Sequence, residues 1–392
     1  NRSVRGTTVL WLGLTLLLGA LAVSVAQAEV KLPGLFGPHM VLQRDRPVAV
    51  WGFAEPGEKV TVSIAAQTKT VTADAQGDRS LRLDAMEAGG PHQLTVRAAN
   101  TLRIEDVLVG EVWLCSGQSN MAMTVSSTVN ADEEIAAANF PRLRMLSLER
   151  RAAEDPQDDC QGQWAVSSPA TAGSFSATAF YFGRRLHEEL DVPVGLINSS
   201  WGGTAVEAWT SREAQEAVDE LEPIQKPWEQ RIADYDPAAA QRRYEQAADS
   251  WPSRAEKAKA AAKKAPRRPS KPLHPRLDPN RPANLFNGMI SPLVPYGVRG
   301  AIWYQGERNS NGPTSVLYGL QLETLIADWR SRFDQGVFPF LFVQLPNFTA
   351  PQEEPSETGG WVMVREGMLK TLKTPNTGMA VTVDIGDEGN IH

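Results

Sequence analysis

A serine flanked by turn residues is the sharpest chemical signal in the chain. Residues 117–121 (GQSNM) follow an apolar run and precede a segment that could begin a helix. A serine on such a strand-to-helix turn has its hydroxyl at the carboxyl edge of the sheet, where α/β proteins build their sites. Free backbone N–H groups at the turn can hold an oxyanion, and Gly117 lets a substrate approach closely. The pattern indicates a nucleophilic Ser119, although a serine that only caps the next helix fits it too.

A nucleophilic serine needs a base, and histidine is the usual one. The chain has five histidines: His39, His92, His187, His274 and His392. The first two lie in a region of short strands, the third on a polar helix face and the fourth in a proline-rich stretch. His392 follows a predicted buried strand by a short loop, which places it at the same sheet edge as Ser119. It is the best candidate for the base.

A carboxylate would orient that histidine. Asp384 ends the last predicted strand and Asp387 lies in the loop that follows. Either carboxylate could reach the imidazole. The alternative for Asp384 is that it accepts backbone N–H groups of its own loop.

Composition excludes several classes of protein. The chain has 392 residues and a net charge of −7, which argues against a nucleic-acid partner. It has no zinc-ligand spacing, P-loop or dinucleotide fingerprint, so we expect neither a metal nor a cofactor. Its two cysteines, Cys115 and Cys160, do not make a disulfide framework, and we expect them more often free than bonded.

The first 28 residues resemble a targeting segment. Arg2 and Arg5 precede an apolar run over residues 9–25, and Ala26-Gln27-Ala28 follows as a small-x-small cleavage site. This predicts a secretory signal peptide over residues 1–28, and therefore an exported protein, periplasmic or extracellular. A membrane anchor is the alternative. After cleavage we expect no stable membrane insertion, since no other stretch is long and apolar enough to span.

The rest of the chain divides by pattern into two parts. Residues 29–106 contain short alternating strands and turns, typical of a small β-sandwich. Residues 107–392 alternate apolar strands with helices, which predicts an α/β domain of three layers with a parallel sheet. Its strands are expected at 107–109, 112–115, 194–198, 298–304, 338–343 and 379–384, and its helices at 177–190, 317–329 and 362–372. Residues 212–282 look like an insertion, helical to about residue 262 and then basic and proline-rich.

Five segments, taken together, closely resemble the sialate O-acetylesterase family of SGNH hydrolases. They are residues 40–44 (MVLQR), 110–121 (GEVWLCSGQSNM), 194–209 (VGLINSSWGGTAVEAW), 285–307 (LFNGMISPLVPYGVRGAIWYQGE) and 383–387 (VDIGD) with 390–392 (NIH). They occur in family order from about residue 30 to the end. The family continues past this histidine with a proline and a closing helix, so the resemblance predicts that the natural chain extends beyond His392.

The resemblance implies a role for each matching residue. Ser119 matches the nucleophile and His392 the general base. The N–H of Ser119, a backbone N–H of Gly202 or Gly203, and the side chain of Gln305 match the oxyanion hole. No metal or other cofactor is implied.

The acid of the triad is less well defined by the resemblance. Many relatives carry an Asp two residues before the histidine, where this chain has Asn390. We therefore take Asp384 as the acid, with Asp387 as the alternative and a Ser–His dyad as a third possibility.

The activity implied is that of a carbohydrate O-acetylesterase that removes acetyl groups from sialic acids by a serine acyl-enzyme mechanism. Its partner would be an acetylated sugar or glycan. Acetylated xylan or another glycan is the alternative substrate, and a non-catalytic carbohydrate-binding protein is the alternative of another class. A serine protease ranks below these. Arg308 could attract the carboxylate of an acidic sugar, although a surface arginine is the simpler interpretation.

Overall fold

A computed structural model describes residues 29–350, 354 and 358–392. The predicted signal peptide lies outside the described residues. The strands of the described part are β1 (Val41–Gln43), β2 (Val48–Phe53), β3 (Lys59–Ile64), β4 (Gln67–Thr72), β5 (Asp78–Leu83), β6 (Gly89–Arg97), β7 (Thr101–Gly117), β8 (Phe140–Ser147), β9 (Trp164–Ser167), β10 (Val194–Ser200), β11 (Gly300–Tyr304), β12 (Phe340–Val343) and β13 (Thr377–Ala380). Its α-helices are α1 (Ser119–Ala122), α2 (Ala131–Ala136), α3 (Ala177–Leu190), α4 (Arg212–Glu216), α5 (Glu222–Ala233), α6 (Pro237–Ala260), α7 (Tyr318–Phe333) and α8 (Gly360–Thr371).

A mostly parallel sheet forms the centre of the molecule. Its strands run in the order β13-β12-β11-β7-β10-β8-β9. Every neighbouring pair is parallel except β8 and β9, which are antiparallel. The predicted α/β class with a parallel sheet is confirmed.

Helices cover both faces of this sheet. Trp113 and Cys115 of β7 pack with Phe180 of α3 on one face. Leu114, between them in the chain, packs on the other face in the same cluster as Trp329 of α7. Successive side chains of a strand point to opposite faces, so a strand buried on both faces has the continuous apolar run from which it was predicted.

Strand β7 is one continuous element of 17 residues, not the two strands predicted around Glu111. A glutamate inside an apolar run suggests a break, yet Glu111 is buried and accepts a 2.6 Å hydrogen bond from Arg44. Gly110 fits there because a Cβ would lie 2.0 Å from the carbonyl oxygen of Pro193. The predicted boundary at residue 106 therefore falls inside a strand.

The strands before β7 belong to two sheets. The first half of β7 pairs antiparallel with β6 and parallel with β1, and β3 joins β4 to β6. Strands β2 and β5 form a separate antiparallel pair. Residues 29–106 thus contribute strands and turns, as the sequence predicts.

Residues 212–282 contain α4, α5 and α6 and then an irregular basic stretch, again as the sequence predicts. The end of this segment contacts the central domain, since Asn280 Oδ1 accepts a 2.9 Å hydrogen bond from the N–H of Ala205. It therefore braces the segment that follows β10. Cys115 and Cys160 are both buried and are not bonded to each other. Among the described residues, no helix is both long enough and apolar enough to cross a membrane.

Candidate active site

The carboxyl ends of three adjacent strands meet at one point of the sheet edge. Gly117 of β7 pairs with Ser200 of β10 on one side and with Tyr304 of β11 on the other. Ser119, Gly202 and Gln305 each follow one of these strands by at most two residues. The topology therefore places all three predicted residues at one edge.

Ser119 stands on a turn that depends on Gly117. This glycine has φ 141°, and a Cβ there would lie 2.1 Å from the carbonyl oxygen of Tyr304. The next residue, Gln118, donates its N–H to the same carbonyl at 2.9 Å. Ser119 is then the first residue of α1 and is partly exposed.

Gly202 lies against Ser119. A Cβ built on Gly202 would be 3.4 Å from the Cβ of Ser119. The loop is fixed there because the N–H of Trp201 donates to the carbonyl of Gly117 at 3.1 Å. Gly203, the alternative donor, has φ 76° and open space where a Cβ would be. The structure thus brings Gly202 to the nucleophile.

Gln305 does not fit the predicted role of oxyanion donor. Its side chain is fully buried, and its amide nitrogen donates to the carbonyl of Thr204 at 3.0 Å and to Oδ1 of Asn309 at 2.6 Å. Its amide oxygen accepts from the Tyr318 hydroxyl at 3.0 Å. Both amide hydrogens are therefore engaged, and in this conformation Gln305 holds the loop that carries Gly202 instead of an oxyanion.

Asn309 and Glu207, which sequence reasoning missed, complete that support. Asn309 Oδ1 accepts the N–H of Val206 at 3.0 Å, and its Nδ2 donates to Glu207 at 2.8 Å. Gln321 donates to the same carboxylate oxygen at 3.0 Å. Burial raises the pKa of Glu207, against the lowering effect of these hydrogen bonds. The signal available in the sequence was the four-residue spacing of Gln305 and Asn309.

His392 is held by the residue next to the nucleophile. Its Nδ1 lies 2.9 Å from Oδ1 of Asn120. The Asn120 amide is oriented by its Nδ2, which donates to Glu307 at 2.7 Å and to the carbonyl of Ile391 at 3.1 Å. Nδ1 must therefore carry the hydrogen, which leaves Nε2 as the basic atom of the imidazole.

Neither aspartate proposed as the acid contacts this imidazole in the described residues. Asp384 is exposed, and Asp387 Oδ1 instead accepts the N–H of Gly389 at 2.7 Å. The prediction for Asp384 placed it at the end of the last strand, but β13 ends at Ala380. The polypeptide leaves the sheet four residues earlier, and Asp384 lies in an exposed loop.

The loop that carries His392 is tied to the loop after β12. The hydroxyl of Thr382 donates to the carbonyl of Gln344 at 2.5 Å, and the N–H of Gly386 donates to Oδ1 of Asn347 at 2.7 Å. These contacts bring the end of the chain back to the sheet edge where Ser119 lies.

Glu307 is a buried carboxylate in contact with this group, since it accepts the hydrogen bond from Asn120. It is 4% exposed, and burial raises its pKa although its own backbone N–H and Asn120 oppose the shift. Its Oε2 atom is buried without a hydrogen-bond partner among the described residues. The neighbouring Arg308 is exposed and donates its backbone N–H to the side chain of Gln118 at 3.1 Å, which puts Arg308 at the rim of the site.

A serine, an adjacent glycine and a histidine at the carboxyl edge of a parallel sheet form an arrangement that ester hydrolases use. Residues 109–245 and 281–392 match the family described as carbohydrate esterase, sialic acid-specific acetylesterase. The unmatched residues between these ranges fall within the predicted insertion.

Relatives and a solved structure agree with that match. The chain is 34% identical to the sialate O-acetylesterase of Rattus norvegicus, over 90% of this chain and 68% of the relative. It is 33% identical to that of Homo sapiens, over 90% of this chain and 65% of the relative. The crystal structure of a carbohydrate acetylesterase from Xanthomonas citri has a TM-score of 0.74 and 34% identity, and covers 93% of this chain and 71% of that one. The chain therefore belongs to the sialic acid-specific acetylesterase family of carbohydrate esterases, and it is an ester hydrolase.

Proposed function

We propose that this enzyme removes O-acetyl groups from sialic acids through an acetyl-serine intermediate. The observation that carries the proposal is the junction of Ser119, Gly202 and the Asn120-bound His392 at one sheet edge. Gly202 lies within contact distance of the Ser119 side chain, and His392 is hydrogen-bonded to Asn120, the residue that follows Ser119. These are the parts that acyl transfer needs: a nucleophile, a base with one free nitrogen, and backbone donors beside the nucleophile.

The reaction follows from those positions. Nε2 of His392 takes the proton of the Ser119 hydroxyl as the oxygen attacks the acetyl carbonyl carbon. The N–H groups of Ser119 and Gly202 stabilise the oxyanion, and loss of one such donor typically costs about 10²–10³ in rate. The C–O bond to the sugar then breaks, and the sugar oxygen takes the proton from His392. Water, deprotonated by His392, attacks the acetyl-serine, and acetate leaves as the serine oxygen regains its proton.

The preference for an acidic sugar rests on the relatives and on one side chain. The curated relatives named above are sialate O-acetylesterases. Arg308 is exposed beside Gln118, the residue before the nucleophile. A guanidinium at the rim would pair with the carboxylate of a sialic acid, which neutral xylan lacks.

Two further parts of the proposal concern the amino-terminal half. Residues 1–28 direct export and are removed after Ala28, so the mature enzyme works in the periplasm or outside the cell. Residues 29–106 form a small β-sandwich, and support comes from Val50 of β2 and Val62 of β3, which belong to different sheets but share one apolar cluster.

Acetate release from O-acetylated sialic acid and from acetylated xylan tests the choice of substrate. We expect kcat/KM to be higher on the sialic acid, and Arg308→Ala to lower it there while leaving the slower reaction on acetylated xylan unchanged. A higher kcat/KM on xylan, with no effect of Arg308→Ala, would keep the ester chemistry and reject the sialic acid assignment.

A further inference from the structure

Asn120 joins His392 to a buried carboxylate. Its Oδ1 accepts from His392 Nδ1 at 2.9 Å, while its Nδ2 donates to Glu307 Oε1 at 2.7 Å and to the Ile391 carbonyl at 3.1 Å. Both hydrogens and the oxygen of the amide are therefore used. An inverted amide would set its hydrogens against His392 and its oxygen against two acceptors, so the arrangement has only one favourable orientation.

The Asn120–Glu307 end of this chain of hydrogen bonds is buried, whereas His392 at the other end is exposed. Asn120 and Glu307 are 5% and 4% exposed. Tyr304 and Tyr318 both feel the charge of Glu307. Burial, together with that charge, raises the pKa of both phenols, that of Tyr304 to about 12, so both stay neutral. In a low dielectric each hydrogen bond polarises the next. Burial raises the pKa of Glu307 and Asn120 opposes the shift; when Glu307 is ionised it draws on Nδ2–H of Asn120 and thereby increases the negative charge on Oδ1, which faces the imidazole.

We propose that Asn120 and Glu307 are positioning residues that together replace the triad carboxylate: Asn120 fixes the Nδ1–H tautomer of His392, and Glu307 polarises the Asn120 amide so that it stabilises the imidazolium. This inference rests on the proposed serine mechanism. The carboxylate of the site is then Glu307, in the loop after β11, and it acts on His392 through the Asn120 amide. It does not come from the loop that bears the histidine.

The loop of His392 itself supplies a different kind of support. Asn390, two residues before the histidine, accepts the backbone N–H of His392 with its Oδ1 at 3.1 Å. It shapes the backbone and leaves Nδ1 to Asn120. This division of roles accounts for an asparagine at a position where an aspartate would be expected to pair with the ring.

The test compares Glu307→Gln and Asn120→Ala with the wild-type chain by kcat, KM and the pH profile of kcat/KM. Without Asn120 the neutral imidazole can place its hydrogen on Nε2, the wrong tautomer for a base, so we expect kcat to fall by about 10²–10³ with little change in KM. Glu307→Gln keeps the shape and removes the charge. Since a negative Glu307 favours the imidazolium, its loss should lower kcat and move the acidic limb of the profile to lower pH.

Asn284→Ala is the matched control for loss of a buried asparagine. Asn284 is fully buried and donates to the carbonyls of Arg276 and Asp278, away from Ser119. We expect it to lower the melting temperature while leaving kcat and the pH profile of the folded enzyme unchanged. Glu307→Gln, being isosteric, keeps the proposal testable if Asn120→Ala does not fold.

The outcomes separate this inference from the proposed function. Wild-type kcat and an unshifted acidic limb in Glu307→Gln would overturn the inference, and so would a loss of activity in Asp384→Asn or Asp387→Asn that matches the loss in Asn120→Ala. If Ser119→Ala is inactive while Asn120→Ala and Glu307→Gln are fully active, only the inference fails. If Ser119→Ala keeps its activity, the serine mechanism fails and the inference with it.

Discussion

Nδ1 of His392 lies 2.9 Å from Oδ1 of Asn120, the residue that follows Ser119 in the chain. The base is thus anchored to the short helix that begins with the nucleophile. That helix is itself fixed, because Thr178 donates to the carbonyl of Asn120 at 3.0 Å and Ser176 donates to that of Met121 at 2.6 Å. The α3 segment therefore sets the position of both reacting groups, although the loop of His392 is largely exposed.

Gly202→Ala should impair catalysis because the new methyl group would lie about 3.4 Å from Cβ of Ser119. It would occupy the space into which the acetyl group must come. We expect kcat/KM to fall by about 10–100-fold, less than the loss of a whole oxyanion donor, since the backbone N–H remains. Steady-state acetate release measures this.

Gly37→Ala is the control for that substitution. No atom lies within 4 Å of a Cβ at Gly37, so kcat/KM should stay at the wild-type value. Wild-type kinetics in Gly202→Ala would place the acetyl group elsewhere and contradict the geometry proposed for the site.

Gln305→Ala should lower the free energy of unfolding and should have no direct effect on the chemical step. The substitution removes hydrogen bonds to Thr204, Asn309 and Tyr318 in a fully buried position. A buried cavity with unsatisfied partners costs about 2–4 kcal/mol in the free energy of unfolding. Urea unfolding monitored by tryptophan fluorescence measures the change.

If Gln305 were a direct oxyanion donor, its substitution would affect kcat and not stability. Its loss would lower kcat by about 10²–10³ at unchanged stability. That result for Gln305→Ala would restore the role predicted from the sequence. Gln43→Ala, which removes a buried glutamine beside the middle of β7, is expected to cost stability and leave kcat unchanged.

The sheet edge could be predicted from the sequence, but the hydrogen bonds within the site could not. Ser119, Gly202 and His392 each follow an apolar strand, and parallel strands bring their carboxyl ends together. Whether the Gln305 side chain is free depends on partners such as Tyr318 and Thr204, which are 13 and 101 residues away. Those contacts leave no periodic signal in the chain.

The hydrogen-bonding role of Asn120 could not be predicted from the sequence either. Its position next to Ser119 was plain in the sequence, yet its role depends on Glu307 and His392, 187 and 272 residues away. The fold was easier to predict because helices such as α3 have a marked apolar face. The break in β7 was wrongly predicted at Glu111 because charged residues are rarely buried unless they are paired. Its partner Arg44 lies 67 residues earlier, so the sequence did not show the pairing.

Asp106 should make stability depend on pH in the acid range. Its carboxylate lies 2.7 Å from Arg144 and 2.6 Å from His39. Burial opposes ionisation, but the hydrogen bonds from Arg144 and His39 outweigh it, so the pKa of Asp106 is lowered. A lowered pKa gives stability that is present above the unfolded value of about 3.9 and is lost as the pH falls through the folded value.

Asp106→Asn should therefore destabilise the protein at pH 7, and its effect should shrink as the pH falls below about 3.9. The substitution leaves the buried Arg144 without its partner, at a cost on the order of 2 kcal/mol, reduced from the value for a fully buried pair because Asp106 is 31% exposed. Asp334→Asn removes an exposed carboxylate paired with Arg82 and should cost little at either pH. An Asp106→Asn effect that is equal at pH 7 and pH 3 would contradict this account.

Acetate release from O-acetylated sialic acid by the wild-type chain and by Ser119→Ala tests whether Ser119 is the nucleophile. Trapping of acetyl-enzyme by mass spectrometry after a rapid acid quench would accompany it. We expect release by the wild type, an acetyl group on the peptide that contains Ser119, and a folded Ser119→Ala variant whose release is lower by about 10³-fold or more. A folded Ser119→Ala variant that releases acetate at the wild-type rate, or an acetyl group trapped on another residue, would contradict it.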